Sequence, residues 1–394
     1  MRVVILAKEF PNTAYLAACT FIYEQAKALA QKTETFVIAP VYSFPRLKRY
    51  EHYSQKLNSI PEYVEDGSLR IFHPRYPYKP SVLRRFMAHG FIKAASEVIK
   101  DRIGNFDVLH GHFLHEAGYA GIKISKQFGV PLAATAHGSD VNRILCGVNS
   151  KKYETARARK TLNSAQAVIA VSDTIKSVLL GYTRHSERIH RIYNGVDLKR
   201  FSVGDKKTAR LELRLPASPE DKILLFASNI LPEKGVFDFL DAFKGLQAEC
   251  TGVHALFIGE DRTNGRFIEE IKTIKNVRYI GAVAHEHVAQ YMQAADILVH
   301  PTYSEGFGLV LVESLACGCP VVSTSVGAVP EIISSESVGI LIKPSNPNML
   351  KHAIEEALQK EWKKDRLHQF ASSFSIEKSI HELLQVYSQL IKKS

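Results

Sequence analysis

The sequence predicts an α/β protein made of two doubly wound domains, each a parallel sheet covered by helices on both faces. Three observations lead to this class. Short β-branched runs alternate with longer segments whose apolar residues recur at helical spacing. Such alternation is typical of βαβ units and parallel strands. The pattern also runs twice, and 394 residues match the usual size of two domains.

In the first half, six short apolar runs are predicted strands, and amphipathic segments such as FIYEQAKALAQK separate them. The runs are RVVILA, ETFVIAPVY, LRIFHP, DVLHGHF, PLAATAHG and AVIAVS. The second half repeats the pattern with KILLFASN, HALFIGE, VRYIGAV, DILVHPT, PVVSTS and VGILIKP. Between the two series lies the polar, turn-rich segment IYNGVDLKRFSVGDKKTARLELRLPASPEDK. We therefore predict one domain over residues 1–202 and a second over 203–375.

Composition narrows the range of partners and compartments. The formal net charge is +11 and the isoelectric point is near 9.2, which favours an anionic partner such as a nucleotide, a nucleic acid or a membrane surface. Five cysteines in a chain of this length do not make a disulfide scaffold, so we expect buried thiols in a reducing cytoplasm. No run approaches the ~20 apolar residues of a membrane span, which predicts a soluble or peripheral protein.

Polar residues follow several of the predicted strands. Ligands of open parallel sheets bind beyond the carboxyl ends of the strands, so these residues are the candidate site. They occupy positions 8–12, 110–112, 137–140, 229–234 and 305.

The stretch SEGFGLVLVES is the most informative of these. Gly306 and Gly308 permit a tight turn and close approach to a ligand, and a helix is predicted from Leu309. The N-terminal amides and the dipole of that helix suit a phosphate or diphosphate. Glu313 lies one turn further, where a ribose would follow the phosphate, and Glu305 can reach a sugar on the other side. The alternative is a helix with an acidic first turn and an unrelated glutamate.

Two further segments carry polar groups at strand ends. In NILPEKG, Lys234 precedes the predicted helix VFDFLDAF, and a cation beside a helix N-terminus forms a diphosphate clamp. A solvated surface lysine is the alternative. In AHGSDV, His137 could orient or protonate a substrate. The alternative is a structural histidine that bonds to the backbone.

Three more histidines stand close together in DVLHGHFLHEAG, namely His110, His112 and His115. A zinc site is one interpretation, but strand alternation points His110 and His112 to one face and no matching carboxylate pattern follows. We therefore expect these two side chains in the core or at a domain interface, and we predict no bound metal.

Basic and aromatic residues are interleaved between residues 44 and 102. The basic residues are Arg46, Lys48, Arg49, Lys56, Arg70, Arg75, Lys79, Arg84, Arg85, Lys93, Lys100 and Arg102. VLRRFMAHGFIKAASEVIK has an apolar helical face beside basic residues, which is typical of an interfacial helix on anionic lipid. KKYETARARKTL is a second basic segment. The alternatives are ordinary solvated helix faces and a nucleic-acid groove. Because no recognised nucleic-acid-binding motif accompanies the charge, we predict no nucleic-acid partner.

In chain order, these segments resemble the retaining glycosyltransferases of family 4. The resemblance is carried by DVLHGHF, TAHGSDV, AVIAVSDTIK, IYNGVD with Phe201, ILPEKGVFDFLDAF, ADILVHPTYSEGFGLVLVESLACGCPVVSTSVGAVPEII and VGILIKP. They span most of the chain, and the glutamate pair with its following PVV and GAVPE is the most specific part. The opening FPNTAYLAACTFIYEQAKAL is similar to the N-termini of exopolysaccharide and cell-surface polysaccharide enzymes of this family.

The resemblance implies the GT-B fold, in which two Rossmann-like domains face a cleft and residues 376–394 form a helix that crosses back to the first domain. The first domain would bind the acceptor and the second a nucleotide-sugar, with a UDP-sugar favoured over a GDP-sugar and no cofactor. The acceptor would be a saccharide or lipid-linked precursor of a polysaccharide or glycolipid. The enzyme would be cytoplasmic, with peripheral contact to the inner face of an anionic membrane.

The resemblance also implies roles for residues. Lys234 would hold the diphosphate leaving group, Glu305 the donor-sugar hydroxyls, and Glu313 the ribose. His137 would lie near the transferred sugar and the acceptor, which makes it a catalytic residue together with Lys234 and Glu305. The other donor-binding positions are Asn229, Gly306, Phe307, Gly308, Leu309 and Val310.

The sequence departs from the family pattern in two places. Asn229 stands five residues before Lys234, where family members usually carry an arginine. A neutral amide brings no charge to a phosphate. Either another cation substitutes, with Arg262 and Arg266 as the candidates, or the affinity for the donor is reduced, or the donor is unusual. The paired-glycine loop that often follows the first strand is replaced by KEFPNTAYLAAC.

The expected reaction is a retaining transfer that requires no divalent metal, since the chain has no D-x-D motif. Electrostatic stabilisation of the departing diphosphate would be the main catalytic contribution, with domain closure gating turnover. One alternative is an epimerase or hydrolase on the same fold, for which no additional acid–base carboxylates are evident. Another is a nucleotide-sugar-binding subunit with weak catalysis, which Asn229 favours. A dehydrogenase is disfavoured because no G-x-G-x-x-G follows either first strand.

Overall fold

The computed structural model describes residues 1–15, 18–45, 47–80, 83, 86–147, 150–215, 218 and 220–393. The chain forms two compact α/β units. The first unit contains Met1–Asn194 and Glu377–Ser394, and the second unit contains Gly195–Ile376. The boundaries predicted from the sequence are 202/203 and 375/376. The predicted class, two α/β domains with parallel sheets, is confirmed.

The first unit is built on a large, mostly parallel sheet. Its strands are β1 (Arg2–Leu6), β2 (Glu34–Ile38), β3 (Val41–Ser43), β4 (Tyr63–Asp66), β5 (Leu69–Phe72), β6 (Arg75–Pro77), β7 (Val108–His112), β8 (Leu132–Ala136), β9 (Ala167–Ala170) and β10 (Ile189–Arg191). Eight of them form the order β10-β9-β8-β7-β1-β2-β5-β4, in which β4 is antiparallel to β5. β3 and β6 pair separately. Every residue of β7 and β8 is buried, as expected for central parallel strands.

Helices cover this sheet and lead into the candidate loops. They are α1 (Thr20–Ala30), α2 (Glu51–Asn58), α3 (Met87–Val98), α4 (Gly118–Phe128), α5 (Lys152–Ser164) and α6 (Asp173–Leu180). Single π-helical turns occur at Ile99–Ile103, Phe113–Ala117 and Asp140–Leu145. The last two begin close to the ends of β7 and β8, and such turns are frequent at functional sites.

The helix expected on lipid packs into the core instead. α3 buries Phe91, Ala94 and Ala95, and the rings of Phe91 and Tyr76 lie 5.9 Å apart. The apolar face of α3 is covered by the protein, so the prediction of an interfacial helix is wrong for Met87–Val98. Within the described ranges, no helix has both the length and the apolar character needed to cross a membrane. Of the basic series, Arg46, Arg84 and Arg85 lie outside the described residues.

The second unit has a six-stranded parallel sheet. Its strands are β11 (Lys222–Ala227), β12 (Val253–Ile258), β13 (Val277–Gly281), β14 (Ile297–His300), β15 (Val321–Thr324) and β16 (Gly339–Ile342). The order β13-β12-β11-β14-β15-β16 is that of a Rossmann sheet, whose winding reverses between β11 and β14. All six strands predicted for the second half are confirmed.

Eight helices of the described chain surround this second sheet. They are α7 (Lys206–Glu212), α8 (Val236–Glu249), α9 (Arg266–Ile271), α10 (His285–Ala294), α11 (Leu309–Ala316), α12 (Val329–Ile332), α13 (Pro347–Gln359) and α14 (Lys364–Ala371). The core includes stacked and tilted phenylalanine rings, with Phe257 lying 5.2 Å from Phe239 and 5.0 Å from Phe267. This packing makes the sheet a rigid base for the loops at its carboxyl end.

Helix α15 (Ile376–Lys393) returns the chain to the first unit. Its spacing of apolar residues is amphipathic, and it buries Ile380, Leu383, Val386, Tyr387 and Leu390. The hydroxyl of Tyr387 lies 2.5 Å from Nδ1 of His110 in β7. The last segment is therefore part of the first unit, as predicted.

Candidate functional site

In the second unit, the candidate residues lie at the switch point of the sheet. β11 and β14 are neighbours, and the loops that follow them carry Lys234 and Glu305. Ligands of doubly wound sheets bind in the crevice at this point, outside the carboxyl ends of the strands. The strand order thus brings together two side chains that are 71 residues apart in sequence.

Two glycines let the loop after β14 approach its neighbours closely. A Cβ on Gly235 would lie 1.9 Å from the carbonyl oxygen of Pro301, and one on Gly327 would lie 2.0 Å from that of Glu305. Both have positive φ, 71° and 52°, which favours glycine. The loop is therefore held between the 3-10 turn Pro232–Lys234 and the turn before α12.

Hydrogen bonds fix the same loop from both sides. The amide of Tyr303 donates to the carbonyl of Glu233 at 2.9 Å. From the other side, the hydroxyl of Thr324 donates to the carbonyl of Thr302. The backbone of Glu233 and the side chain of Thr324, on two neighbouring segments, thus fix the loop that carries Glu305.

Glu305 is the centre of a buried charged cluster. Its Oε2 accepts from Nζ of Lys234 at 2.8 Å and from Nε2 of His300 at 3.2 Å, and its Oε1 accepts from the amide of Gly306 at 3.1 Å. The Lys234 and Glu305 side chains are 24% and 15% exposed. Burial opposes the charged form, but the Lys234 charge and the His300 hydrogen bond outweigh it and hold the pKa of Glu305 well below its usual range. Glu305 is therefore an ionised, fixed acceptor.

His300 is a member of this cluster that sequence reasoning missed. It is the last residue of β14, and burial lowers its pKa, so the imidazole is neutral near pH 7. Because the ionised Glu305 only accepts, Nε2 of His300 carries the proton. Its buried Nδ1 has no hydrogen-bond partner among the described residues. The sequence did contain a signal for His300, because it is a polar residue at the end of the apolar strand ILVH, directly before the loop that carries Glu305.

The glycine-rich turn leads into α11 as predicted. Gly308 has φ of 90°, and the helix begins at Leu309, with Val310 in its first turn. Phe307 is buried, and its ring lies 5.9 Å from that of Phe374. In this structure Phe307 therefore anchors the turn whose amides are the predicted phosphate contacts.

Glu313 lies on the buried face of α11 and has a partner that was not predicted. It is 5% exposed, and its Oε1 lies 2.8 Å from Nε2 of His285, the first residue of α10. Nδ1 of His285 lies 3.1 Å from Nη1 of Arg200. Glu305 and Glu313 therefore belong to two separate networks, one around Lys234 and one around His285.

Asn229 is half-buried on the loop between β11 and the 3-10 turn. Of the two arginines considered as substitutes for its missing charge, Arg262 is 51% exposed and pairs with Glu260 at 2.8 Å. The guanidinium of Arg266 lies 4.0 Å from the centroid of the Phe237 ring at the start of α8. Arg262 lies on the loop between β12 and α9, Arg266 begins α9, and both are engaged with other groups.

In the first unit, histidines form a buried stack at the ends of β7 and β8. Nδ1 of His112 lies 2.9 Å from Nε2 of His137, and Nε2 of His110 lies 2.7 Å from the hydroxyl of Thr135. Burial lowers the pKa of His110 and of His137 to about 3, and it lowers the pKa of His112 well below the usual value. The histidines are therefore neutral near pH 7. The expectation that His110 and His112 are core residues is confirmed.

The loop that carries His137 is held by a buried carboxylate. Oδ1 of Asp140 accepts from the amides of His137 and Gly138 at 2.9 and 3.1 Å. The His137 ring contacts Phe21 and Phe113 at 4.7 and 4.8 Å between centroids, and Phe113 has a positive φ of 68°. Nδ1 of His137 is buried and has no hydrogen-bond partner among the described residues.

Over the described ranges, no group of three or more His, Cys, Asp or Glu side chains could hold a metal ion.

Comparisons with known proteins identify relatives of the whole chain. The model of Glycosyltransferase Family 4 matches residues 19–200, and the model of Glycosyl transferases group 1 matches residues 212–374. A Bacillus subtilis protein, provisionally assigned as the teichuronic acid biosynthesis glycosyltransferase TuaC, is 27% identical over 361 residues. That alignment covers 90% of this chain and 89% of the relative.

Solved structures of low sequence identity share the fold. Sucrose-phosphate synthase from Thermosynechococcus elongatus superposes with a TM-score of 0.82 at 20% identity, over 100% of both chains. Anabaena HepE, in complex with UDP-glucose, superposes with a TM-score of 0.73 at 20% identity, over 99% of this chain and 100% of HepE. Because the two family models together account for residues 19–200 and 212–374, the chain belongs to glycosyltransferase family 4 and is a glycosyltransferase of the GT-B fold.

Proposed function

We propose that the enzyme transfers a glycosyl group from a nucleoside-diphosphate sugar to a hydroxyl of a saccharide or lipid-linked acceptor. The anomeric configuration is retained and no divalent cation is required. The observation that carries this proposal is the Lys234–Glu305–His300 cluster beside the N-terminus of α11. A cation and helix amides next to a carboxylate suit a ligand with a diphosphate at one end and sugar hydroxyls at the other.

Lys234 would offset the charge that develops on the departing diphosphate. Its ammonium group has three donors, and the bond to Glu305 leaves others for phosphate oxygens. The amides and dipole at the start of α11 act in the same direction. Preorganised donors of this kind are usually the largest catalytic contribution, and removing one typically lowers kcat by about 10²–10³.

Glu305 would accept hydrogen bonds from hydroxyls of the donor sugar. Its low pKa keeps it ionised at physiological pH, and an ionised carboxylate acts only as an acceptor. The neighbouring Lys234 charge also offsets the repulsion that a buried anion would otherwise exert on an incoming diphosphate. The same ion pair therefore serves both ends of the donor.

The acceptor hydroxyl would attack the anomeric carbon from the face on which the diphosphate departs. A bond forms between the acceptor oxygen and the anomeric carbon, and the bond to the phosphate oxygen breaks with its electron pair. The acceptor proton passes to the departing diphosphate. His137, which is neutral because its pKa is about 3, would hydrogen-bond the transferred sugar and the acceptor rather than act as a cationic acid.

A UDP-sugar is the favoured donor, with a GDP-sugar as the alternative, and no cofactor takes part. HepE is described in complex with UDP-glucose, and TuaC is assigned to teichuronic acid biosynthesis. These names support a UDP-sugar as donor and a cell-surface polysaccharide as product.

The test is release of nucleoside diphosphate from a panel of UDP-, GDP-, ADP- and dTDP-sugars, with and without EDTA. Turnover of one donor that resists EDTA and is lost in Lys234→Ala and Glu305→Gln supports the proposal. Lys244→Ala is the matched control, because Lys244 is an exposed lysine of the same unit that pairs with Asp241. Loss of turnover with EDTA contradicts metal independence, and inversion of the product anomer contradicts retention.

A second candidate function is a nucleotide-sugar-binding subunit with weak catalysis. The neutral Asn229 favours it, since a charge-assisted hydrogen bond contributes about 1.5–3 kcal/mol and a neutral one about 0.5–1.5 kcal/mol. Donor binding by calorimetry without turnover of any panel member would favour this function over the transferase.

The enzyme is further proposed to act in the cytoplasm, with the first unit attached to the inner face of an anionic membrane. Several large apolar side chains of this unit are exposed, namely Leu47, Tyr53, Leu83 and Phe86. Lys48, Arg49 and Lys56 are exposed in the same segments. Residues 67–96 contain no Asp or Glu. Exposed aromatic and basic side chains together are typical of binding to anionic lipid.

Sedimentation with phosphatidylglycerol vesicles tests the membrane proposal. We expect binding at low salt, loss of binding at high salt, and none to pure phosphatidylcholine. The pair Lys48→Glu and Arg49→Glu should weaken binding, whereas Lys272→Glu on the second unit should not. Absence of binding to anionic vesicles at low salt would contradict the proposal.

A further inference from the structure

We propose that His285 and Arg200 are positioning residues for the donor ribose. They hold Glu313 in the orientation in which it accepts a ribose hydroxyl. This inference rests on the proposed function, in which Glu313 binds the ribose. It also gives a role to the segment after the IYNGVD motif, for which the sequence suggested no chemistry.

Glu313 requires a donor where it lies. The residue is 5% exposed, and a buried carboxylate is costly unless it is hydrogen-bonded. Its Oε1 lies 2.8 Å from Nε2 of His285, within normal hydrogen-bond distance. His285 begins α10, and α10 packs on α11, so the bond joins two elements of the second unit.

Arg200 determines which nitrogen of His285 carries the proton. Nη1 of Arg200 lies 3.1 Å from Nδ1 of His285, and a guanidinium group only donates hydrogen bonds. Nδ1 must therefore accept, which places the proton of the neutral imidazole on Nε2. That proton faces Glu313, so the arginine selects the tautomer that can bind the carboxylate.

Arg200 is itself fixed by the IYNGVD motif. Its amide donates to Oδ1 of Asp197 at 3.4 Å, and its Nη2 lies 3.9 Å from Oδ2 of the same residue. The Phe201 ring lies 5.4 Å from the imidazole of His285. The network therefore runs from Asp197 through Arg200 and His285 to Glu313, entirely within the second unit.

The network has a direct consequence for recognition of the nucleotide. With Oε1 of Glu313 engaged by His285, Oε2 remains for a ribose hydroxyl. If the imidazole is lost, the carboxylate can rotate, and its bond to the ribose no longer has a fixed geometry. The variants should therefore lose discrimination between ribose and deoxyribose more than they lose binding of the diphosphate.

Calorimetric binding of UDP, 2′-deoxy-UDP and 3′-deoxy-UDP tests this inference, with the guanosine series used if the donor panel selects GDP. In the wild type, we expect removal of the bound hydroxyl to weaken binding by about 10- to 100-fold. In His285→Ala, the ratio of the Kd of the deoxy-nucleotide to the Kd of UDP should approach one, and Arg200→Gln should reduce this ratio. His285→Gln, which keeps an amide N–H near the position of Nε2, should retain most of it. His287→Ala is the control, because His287 is an exposed histidine on the same helix.

The possible outcomes separate this inference from the proposal on which it rests. If His285→Ala and Arg200→Gln keep the wild-type ratio while Glu313→Ala loses it, the positioning role is overturned and the ribose assignment stands. If Glu313→Ala also keeps the ratio, the ribose assignment is wrong and the inference falls with it. If neither UDP nor GDP binds the wild type, the donor proposal itself fails. Thermal unfolding of each variant checks that it is folded.

Discussion

The two units differ in the sign of their charge. The first unit has 31 Lys and Arg against 17 Asp and Glu, whereas the second has 20 against 23. The unit proposed to bind a nucleoside diphosphate is thus the slightly acidic one. The net positive charge of +11 therefore comes from the first unit, and the proposed binding of a diphosphate by the second unit would depend on local groups such as Lys234.

The buried ionisable side chains of the two units also differ in charge. In the second unit, Glu305 is buried beside Lys234 and stays charged because its pKa is lowered. In the first unit, His110 and His137 are buried without an opposite charge and stay neutral because their pKa falls to about 3. Burial alone favours the neutral form, and a partner of opposite charge reverses that preference. The proposed donor site thus contains a buried ion pair, whereas the histidine stack contains neutral groups.

The sharpest test of local against overall charge is Lys234→Ala. We expect a loss of about 10²–10³ in kcat for nucleoside-diphosphate release, because a preorganised cation is removed and Glu305 is left unpaired. Reversing the charges of Lys48 and Arg49 on the first unit should leave the rate of nucleoside-diphosphate release unchanged when the acceptor is soluble. Equal losses from both changes would show that overall charge, and not the local cation, controls donor turnover.

Substitution of two glycines compares the packing of the two units. Gly327→Ala places a Cβ against the carbonyl of Glu305, so we expect loss of most activity and a destabilisation above the roughly 1–2 kcal/mol of a left-handed residue. Gly129→Ala in the first unit has the same left-handed strain, with φ of 69°, but nothing lies within 4 Å of the added Cβ. Gly129→Ala should lower the free energy of unfolding only by the cost of the left-handed conformation and should leave activity intact. Thermal unfolding and turnover measure both, and equal effects would contradict the clamp around Glu305.

Acid should destabilise the first unit more than the second. Below pH 6.5 the unfolded chain protonates histidines that the folded chain keeps neutral, so stability falls as pH decreases, by up to about 1.4 kcal/mol per pH unit for each histidine. Burial lowers the pKa of His73, His110, His112, His137 and His190 in the first unit and of His300 in the second. Glu305 does not contribute to this loss between pH 7 and pH 5, because its stabilising effect is fully present above its ordinary pKa of 4.5. That effect is lost only as pH falls from there towards its lowered pKa.

Hydrogen exchange at pH 7 and pH 5, corrected for intrinsic rates, measures this difference between the units. His112→Asn should reduce the acid sensitivity of the first unit, since one titrating group is removed. The exposed His52 provides the control, and His52→Asn should not change that sensitivity. Uniform loss of protection in both units would refute the prediction.

The smallest expected effect comes from restoring a charge at Asn229. The difference between a charge-assisted and a neutral hydrogen bond is about 1 kcal/mol, so Asn229→Arg should lower the donor KM roughly fivefold. Steady-state kinetics with the selected donor measures it. An unchanged KM would mean that another cation already fills this role, and Arg266→Ala in the wild type would then raise KM.

The sheets could be predicted largely from sequence, with informative failures in the first unit. ETFVIAPVY divides into β2 and β3 in different sheets, because Pro40 interrupts the ladder between them. β4 was missed, although the two-residue loop Gly67-Ser68 before LRIF is a hairpin signal. β10 has three residues, too few for a periodic pattern.

For the candidate site, the sequence could identify the ends of strands but not the partners that meet there. Lys234, Glu305 and Glu313 stood out because they follow strands or glycine turns. His300 and His285 did not, because their roles depend on which residues the fold brings beside them. Arg200 and His285 are 85 residues apart in sequence, and only the order of strands and helices makes them neighbours. Local patterns therefore predict positions, whereas hydrogen-bond networks follow from tertiary structure.

The position of helix α15 at the end of the chain affects how the first unit folds during synthesis. Residues 195–376 separate the two parts of the first unit in the chain. Tyr387, which contacts His110 in β7, is therefore synthesised long after the strands of that unit. At about 5–20 residues per second, that interval is roughly 10 to 40 s. During this time the surface that α15 later covers is accessible to chaperones, and His110 lacks its tyrosine partner. The contiguous second unit is fully synthesised before α15, so it can complete its fold before the first unit receives its last helix.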